Sequence, residues 1–322
     1  MSNTWLFQLT ISISIILSTS LVVKKLLEIT LSKSFLVSIS FITLFIMLLN
    51  ILGLYKFSIN ILIIISSIPF FFSSIRKIIL EEKSLIIEFI LLILAIFYFS
   101  HDRIFMDEDE LYFWAVKYKY FIIQLNELNY NFGNNNYKFD NITNIYEYSG
   151  YGNATSIFQA FITSFIGYNE GGAIFANNII IICSFYFLFG DKVKKFNFRI
   201  LYFLIVYLIL NNLSFGLLSI YNDPIVVSLY AVLVYYLIND FNYKKLKSII
   251  LIVLLIIFFI NIHRISILFA CFLLILIHLK YYKNKINSIK SIFVIGFYIF
   301  FTFIIIRLTT TYDSDITKYI VN

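Results

Sequence analysis

The sequence predicts an all-α polytopic membrane protein with about ten transmembrane helices, and three observations carry that prediction. Of its 322 residues, 61% are hydrophobic and 13% charged, with two prolines, whereas a soluble domain runs at roughly 45–50% apolar and about 25% charged. The apolar residues come in repeated runs, several of them about 17–22 residues and long enough to cross a ~30 Å hydrocarbon core as a helix, which pairs its own peptide groups. The basic residues are gathered into the short segments between runs, the distribution that orients helical membrane proteins. This last feature outweighs a nucleic-acid reading of the net charge of +7.

In chain order the spans are expected at 5–23, 35–55, 58–75, 84–100, 172–190, 200–220, 224–239, 249–262, 265–279 and 291–306. The first has no basic segment before it and no small-residue cleavage site after it, so it reads as a span rather than a cleavable signal. Cys183 and Cys271 both lie inside apolar runs, where neither a disulfide framework nor a metal-ligand spacing can be built.

Five basic clusters set the orientation: Lys24/Lys25/Lys33, Arg76/Lys77/Lys83, Lys192/Lys194/Lys195/Arg199, Lys244/Lys245/Lys247 and Lys280/Lys283/Lys285/Lys290. They hold 17 of the 25 Lys and Arg residues. With all five on the cytoplasmic side, the N-terminus, the 101–171 segment, Tyr221–Pro224, the His263/Arg264 break and the C-terminal tail face outwards. Thr155–Gly167 is apolar but only about 13 residues long, too short for a crossing. A crossing there would also put Lys192–Arg199 outside. It is therefore expected as an interfacial or re-entrant helix on the outer side.

The outer segment 101–171 carries the charge. Asp107, Glu108, Asp109 and Glu110 follow an apolar helix, with Trp114, Lys117 and Lys119 close behind. Adjacent carboxylates raise one another's pKa by repulsion, which suits general-base work or metal binding. The plainer reading is a solvated acidic cap. Asp109–Asn126 is expected as an amphipathic helix with Phe113, Trp114, Tyr118 and Phe121 towards lipid or core. Asn141-Ile-Thr and Asn153-Ala-Thr match the glycosylation acceptor pattern, by chance in so Asn-rich a chain.

Three further positions stand out. Asp223, before Pro224, reads either as an N-terminal cap of the seventh span or as a substrate contact. His263 and Arg264 interrupt an apolar run from Ile249 to Leu279 that is too long for one span. Arg264 either snorkels at the interface or binds a lipid phosphate through its fork of donors. Lys117 and Lys119 suit lipid headgroups or a substrate phosphate. Glu88, His101 and His278 have no evident partner.

Taken together, these stretches resemble bacterial GT-C membrane glycosyltransferases, a superfamily that includes protein O-mannosyltransferases and lipid A aminoarabinose transferases. Asp109-Glu110-x-x-x-Trp114-Ala-x-Lys117-x-Lys119 resembles their first outer-loop motif. Tyr151-Gly-Asn-Ala-Thr-Ser-Ile-Phe-Gln159 has the spacing of a Y-P-P-x-x-x-x-x-Q segment, with Gly152-Asn153 in place of Pro-Pro. Glu170-Gly-Gly-Ala-Ile-Phe-Ala-Asn-Asn178 resembles the start of the next span. Tyr221-Asn-Asp-Pro224 is similar to a Y-A-D-P stretch, and the His263/Arg264 break sits where a short polar interruption is common.

The resemblance covers about residues 100–275. It implies a GT-C-like seven-helix module over 84–322, with an outer-face loop carrying interfacial helices and an added three-helix membrane segment over 1–83. It further implies an inverting transferase that moves a sugar from a polyprenyl-phosphate donor to a glycan, lipid or protein acceptor outside the cell membrane. Asp109 would be the general base, with Glu110 or Asp107 orienting the acceptor. Trp114, Lys117, Lys119, Tyr151, Gln159, Asp223, His263 and Arg264 are the candidate substrate-binding residues. No resident cofactor is implied, though the acid run could hold a divalent metal.

Other readings are a transporter or flippase for lipid-linked sugars, a non-catalytic scaffold, and an O-antigen polymerase or ligase. Transport calls for intramembrane charges and paired repeats. A polymerase or ligase calls for a late, arginine-rich outer loop. This chain has nearly charge-free spans, no internal repeat and an early, acidic loop.

Overall fold

Residues 3–104, 117–119, 121–122, 153–192, 199, 222–242, 244–263 and 266–281 are described by a computed structural model, and all regular structure among them is helical. The helices are α1 (Asn3–Leu27), α2 (Leu31–Ile51), α3 (Ser58–Ser67), α4 (Ser73–Glu81), α5 (Lys83–Ser100), α6 (Ala154–Ile162), α7 (Glu170–Phe189), α8 (Asp223–Asn239), α9 (Leu246–Ile260) and α10 (Ser266–Tyr281).

Four of them, α1, α2, α5 and α7, are long and apolar enough to cross a membrane, and a fifth crossing exists if the bent run Tyr55–Glu81 is taken as one broken span. The expectation of ten is corrected to that. Helices α8, α9 and α10 are apolar but have 17, 15 and 16 residues. At about 1.5 Å per residue, 15 residues reach only ~22 Å, less than the ~30 Å core. The expected spans 200–220 and 291–306 lie outside the described residues.

The 58–75 run departs from a straight span for a local reason. Pro69 has no N–H to continue the helix, so α3 stops at Ser67 and a 3-10 turn covers Ile68–Phe71. Phe72 is extended, and α4 leaves at 85° to the preceding run.

Helix α7 is the axis of the bundle. Buried residues make up 89% of its apolar window, against 39% for α5, which therefore shows more of its surface to the surroundings. Helix α2 packs along α7 and α1 and also meets α6 and α9. Its polar residues cost little inside, because Ser38, Ser40 and Thr43 donate to carbonyls one turn back. One continuous hydrophobic core runs from Ile16 and Phe35 through Phe89, Phe175 and Ile252.

Among the described residues, lysines of the basic clusters gather at one end of the bundle. Lys24 pairs with Glu82, Lys33 meets Asp240 at 3.0 Å and Asp191 at 3.5 Å, and Lys247 pairs with Glu28 at 2.5 Å. Lys280 donates to the Leu237 and Ile238 carbonyls at 2.6 and 3.0 Å. Glu28, at φ 55, ends α1 in the left-handed conformation and turns the chain into α2.

Near that end lies a polar contact that composition alone had left without partners. The Glu88 carboxylate, fully buried on α5, accepts from Arg199 Nε at 2.7 and 3.0 Å and from Tyr186 Oη at 2.9 Å. Glu88 is thus a partnered residue, and Arg199 is drawn out of the solvated basic cluster to which its position in the chain assigns it.

Candidate functional site

The site is built around α6, nine residues that are all buried. Of Thr155–Gly167, expected as an interfacial or re-entrant helix, the part up to Ile162 lies in α6. The segment does not cover the bundle from outside but lies within it, against α1, α2 and α7. Of its polar residues, Thr155 and Gln159 bond across the packed helices rather than to water.

Four separate stretches of sequence meet on it. Lys117 Nζ donates to Asn153 Oδ1 at 3.2 Å, both side chains being buried. The Ala154 amide donates to the Asn261 carbonyl at 2.8 Å, which ties the first turn of α6 to the break before α10. Asn222 Nδ2 donates to Thr155 Oγ1 at 3.0 Å and to the Ile262 carbonyl at 3.2 Å. One turn further along, Gln159 Nε2 donates to Asn177 Oδ1 at 2.9 Å on α7.

A second layer holds this end closed. Tyr118 is fully buried, and its hydroxyl lies 2.7 Å from Thr163 Oγ1 and accepts from the Asn169 amide at 3.0 Å. Burial drives the Tyr118 phenol far above the ordinary tyrosine range, and the Glu170 carboxylate adds to the shift against opposing hydrogen bonds from Thr163 and Asn169. Tyr168, stacked on Tyr118 at 5.2 Å, is raised for the same first reason. Asn169 caps α7, accepting from the Gly172 amide at 2.7 Å. Gln8 on α1 accepts from the Phe165 amide at 2.6 Å and donates to Ser12 Oγ at 2.9 Å.

Several polar atoms in the α6 layer have no protein partner. Gln159 Oε1, Asn222 Oδ1 and the hydroxyls of Ser156 and Ser266 are buried without a hydrogen bond. Two amide acceptors and two hydroxyls favour donors from a hydroxyl-bearing ligand or water.

The candidate residues fare as follows. Gln159 and Lys117 belong to the α6 cluster. Lys119 lies over the Tyr168 ring at 5.5 Å, a cation–π contact. Asp223 begins α8 and is exposed, where its charge complements the helix N-terminus. It is not the capping residue: Asn222 holds that position, and its side chain is turned to Thr155 instead. His263 lies in the break between α9 and α10, and its carbonyl accepts from Ser266 at 2.9 Å. His101, without evident partner in the sequence, has Asp102 at 3.1 Å and the Phe97 ring at 5.1 Å. Asp107, Asp109, Glu110, Trp114, Tyr151 and Arg264 lie outside the described residues, as do Phe113 and the acid run's possible metal. Among the described residues no group of three His, Cys, Asp or Glu could hold a metal ion.

Of the amphipathic segment 109–126, the described parts are helical, and Tyr118 and Phe121 point to the core. Asn153 is buried against Lys117, an environment closed to glycosylation. Asn153, Asn177 and Asn222 are members of the α6 cluster that sequence reasoning passed over. Their signal was an amide at the edge of an apolar run, muted by the Asn richness of the whole chain.

No protein-family model, curated protein or solved structure matches this chain.

Proposed function

We propose that this protein is a membrane glycosyltransferase that takes a sugar from a polyprenyl-phosphate donor on the face carrying the acid run. In this reading Asp109 removes a proton from the acceptor hydroxyl or amine. The acceptor then attacks the anomeric carbon from the side opposite the phosphate, the C–O bond to phosphate breaks, and the configuration inverts. Lys117 and Arg264 offer positive charge to the departing phosphate, an electrostatic task.

The observation that supports this reading is the convergence on α6. The motif lysine Lys117, the segment ending at Gln159, Asn222 beside Asp223, and the break before His263 are separated by up to 146 positions in the chain, yet hydrogen bonds join all four. Gln159 Oε1 and Asn222 Oδ1, buried and unmet by protein donors, suit sugar hydroxyls.

The test uses Asp109→Asn in washed membranes, supplied with radiolabelled polyprenyl-phosphate sugars. Transfer to an endogenous acceptor is expected from the parent protein and loss of at least a hundredfold from the variant, in line with removal of a general base. Full activity in a correctly inserted Asp109→Asn protein overturns the base assignment. Absence of any transfer by the parent, across the donor panel, overturns the activity.

A further inference from the structure

At the lysine end, away from the α6 cluster, the bundle holds an apolar cavity of about 590 Å³ between α1, α2, α9 and the bent α3–α4 run. The bend at Phe72 opens it. With α4 turned aside by 85°, no helix continues the line of α3, and α4 instead meets α1 and adds Ile75 to the lining. The Ser18 hydroxyl donates to the Ser66 carbonyl where α3 is ending, so the break is satisfied without filling the space.

The lining is almost wholly hydrocarbon: Val37 and Leu62 lie deep, Phe45 and Leu254 are half-buried, and Phe41 and Ile65 are 41% and 44% exposed and open it sideways. Lys25 is the single charged residue of the lining. It is exposed, and its Nζ donates to Ser74 Oγ at 2.6 Å. Unlike Lys24, Lys33 and Lys247, it has no carboxylate partner among the described residues.

We propose that this cavity is a binding site for an anionic glycerophospholipid of the leaflet at the lysine end, with one acyl chain between α1, α2 and α3 and the phosphate on Lys25 and the Ser74 hydroxyl. Shape and charge both point to this occupant. A side-opening hydrocarbon slot of this volume admits a flexible chain, and ligand sites commonly fall in the range of about 300–1,000 Å³. An ammonium bonded to a hydroxyl but to no carboxylate among the described residues selects a negative headgroup over a zwitterionic one. The site is separate from α6, so it stands or falls independently of the glycosyltransferase reading. Its occupant would brace the bend that Pro69 creates.

The experiment uses the full chain in nanodiscs of phosphatidylcholine doped with phosphatidylglycerol or phosphatidylcholine carrying a photoreactive group in one acyl chain. Phosphatidylglycerol is expected to label peptides of α1, α2 and α3 that line the cavity, with phosphatidylcholine labelling them about fivefold less. Lys25→Gln should reduce the phosphatidylglycerol signal to the phosphatidylcholine level while leaving labelling of the outward face of α5 unchanged. Ile65→Trp should block labelling by either lipid. Equal labelling by both lipids in the parent protein overturns the headgroup assignment. Labelling spread evenly over α1, α2, α3 and α5 overturns the site, as does phosphatidylglycerol selectivity that survives Lys25→Gln. Retained helicity and thermal melting of each variant show whether a lost signal reflects the site or the fold.

Discussion

Lys117 and Asn153 are 36 positions apart and meet at 3.2 Å inside the protein. The contact joins the lysine of the acidic motif to the first turn of α6, where the Ala154 amide is already bound to Asn261. A lysine that is only 8% exposed is held in one place, and a held ammonium suits a phosphate better than one that ranges through solvent.

That coupling predicts non-additivity. Lys117→Met and Asn153→Ala should each lower sugar transfer, and the double variant should be little worse than Lys117→Met alone. A double-mutant cycle on transfer rates checks this, with a coupling of about 0.5–3 kcal/mol expected for residues in contact.

The Glu88–Arg199 pair predicts a stability loss with a distinctive rescue. Glu88→Ala strands a nearly buried guanidinium, at 9% side-chain exposure, and should cost about 3–5 kcal/mol. Glu88→Leu combined with Arg199→Leu should recover much of that, because two apolar side chains replace the pair without leaving a charge behind. Thermal unfolding in detergent compares the three proteins.

Tyr118 predicts an alkaline sensitivity. Its folded pKa is raised, first by burial, so the neutral phenol is favoured by the fold. The resulting stability is complete below the ordinary tyrosine value of about 10 and is lost as pH rises through the higher folded value. Tyr168 contributes in the same direction. Melting temperature should therefore fall above about pH 10, and Tyr118→Phe should flatten part of the fall, leaving the Tyr168 share. At neutral pH the same variant should lose about 1–3 kcal/mol, because the Asn169 amide forfeits its acceptor.

Gly171 predicts a steric limit where α7 begins beside the end of α5. A Cβ there would sit 2.4 Å from the His101 carbonyl oxygen and 2.5 Å from that of Ser100. Both atoms are backbone and cannot rotate away, so Gly171→Ala should cost at least about 1–3 kcal/mol. A lowered melting temperature and reduced yield of folded protein are the expected readouts.

Much of this was legible in the chain. Apolar runs marked where α1, α2, α5 and α7 lie, because a helix that must pair all its peptide groups in hydrocarbon leaves a run of that length. The break at His263 fell where α9 and α10 separate, and the scattered lysines came together at one end, as their alternation between runs requires. Those are properties of composition and period, which act locally.

Only tertiary packing decided the rest. That α6 is interior, that Glu88 finds Arg199 across 111 positions, and that Asn222 turns from capping its own helix to Thr155 all depend on which surfaces meet. A buried polar side chain takes its identity from its partner, and partners far apart in the chain leave no periodic trace. The bend at Pro69 lies between these cases: the residue foretells a break, but the cavity beside it exists because α1, α2 and α9 stand where α4 does not.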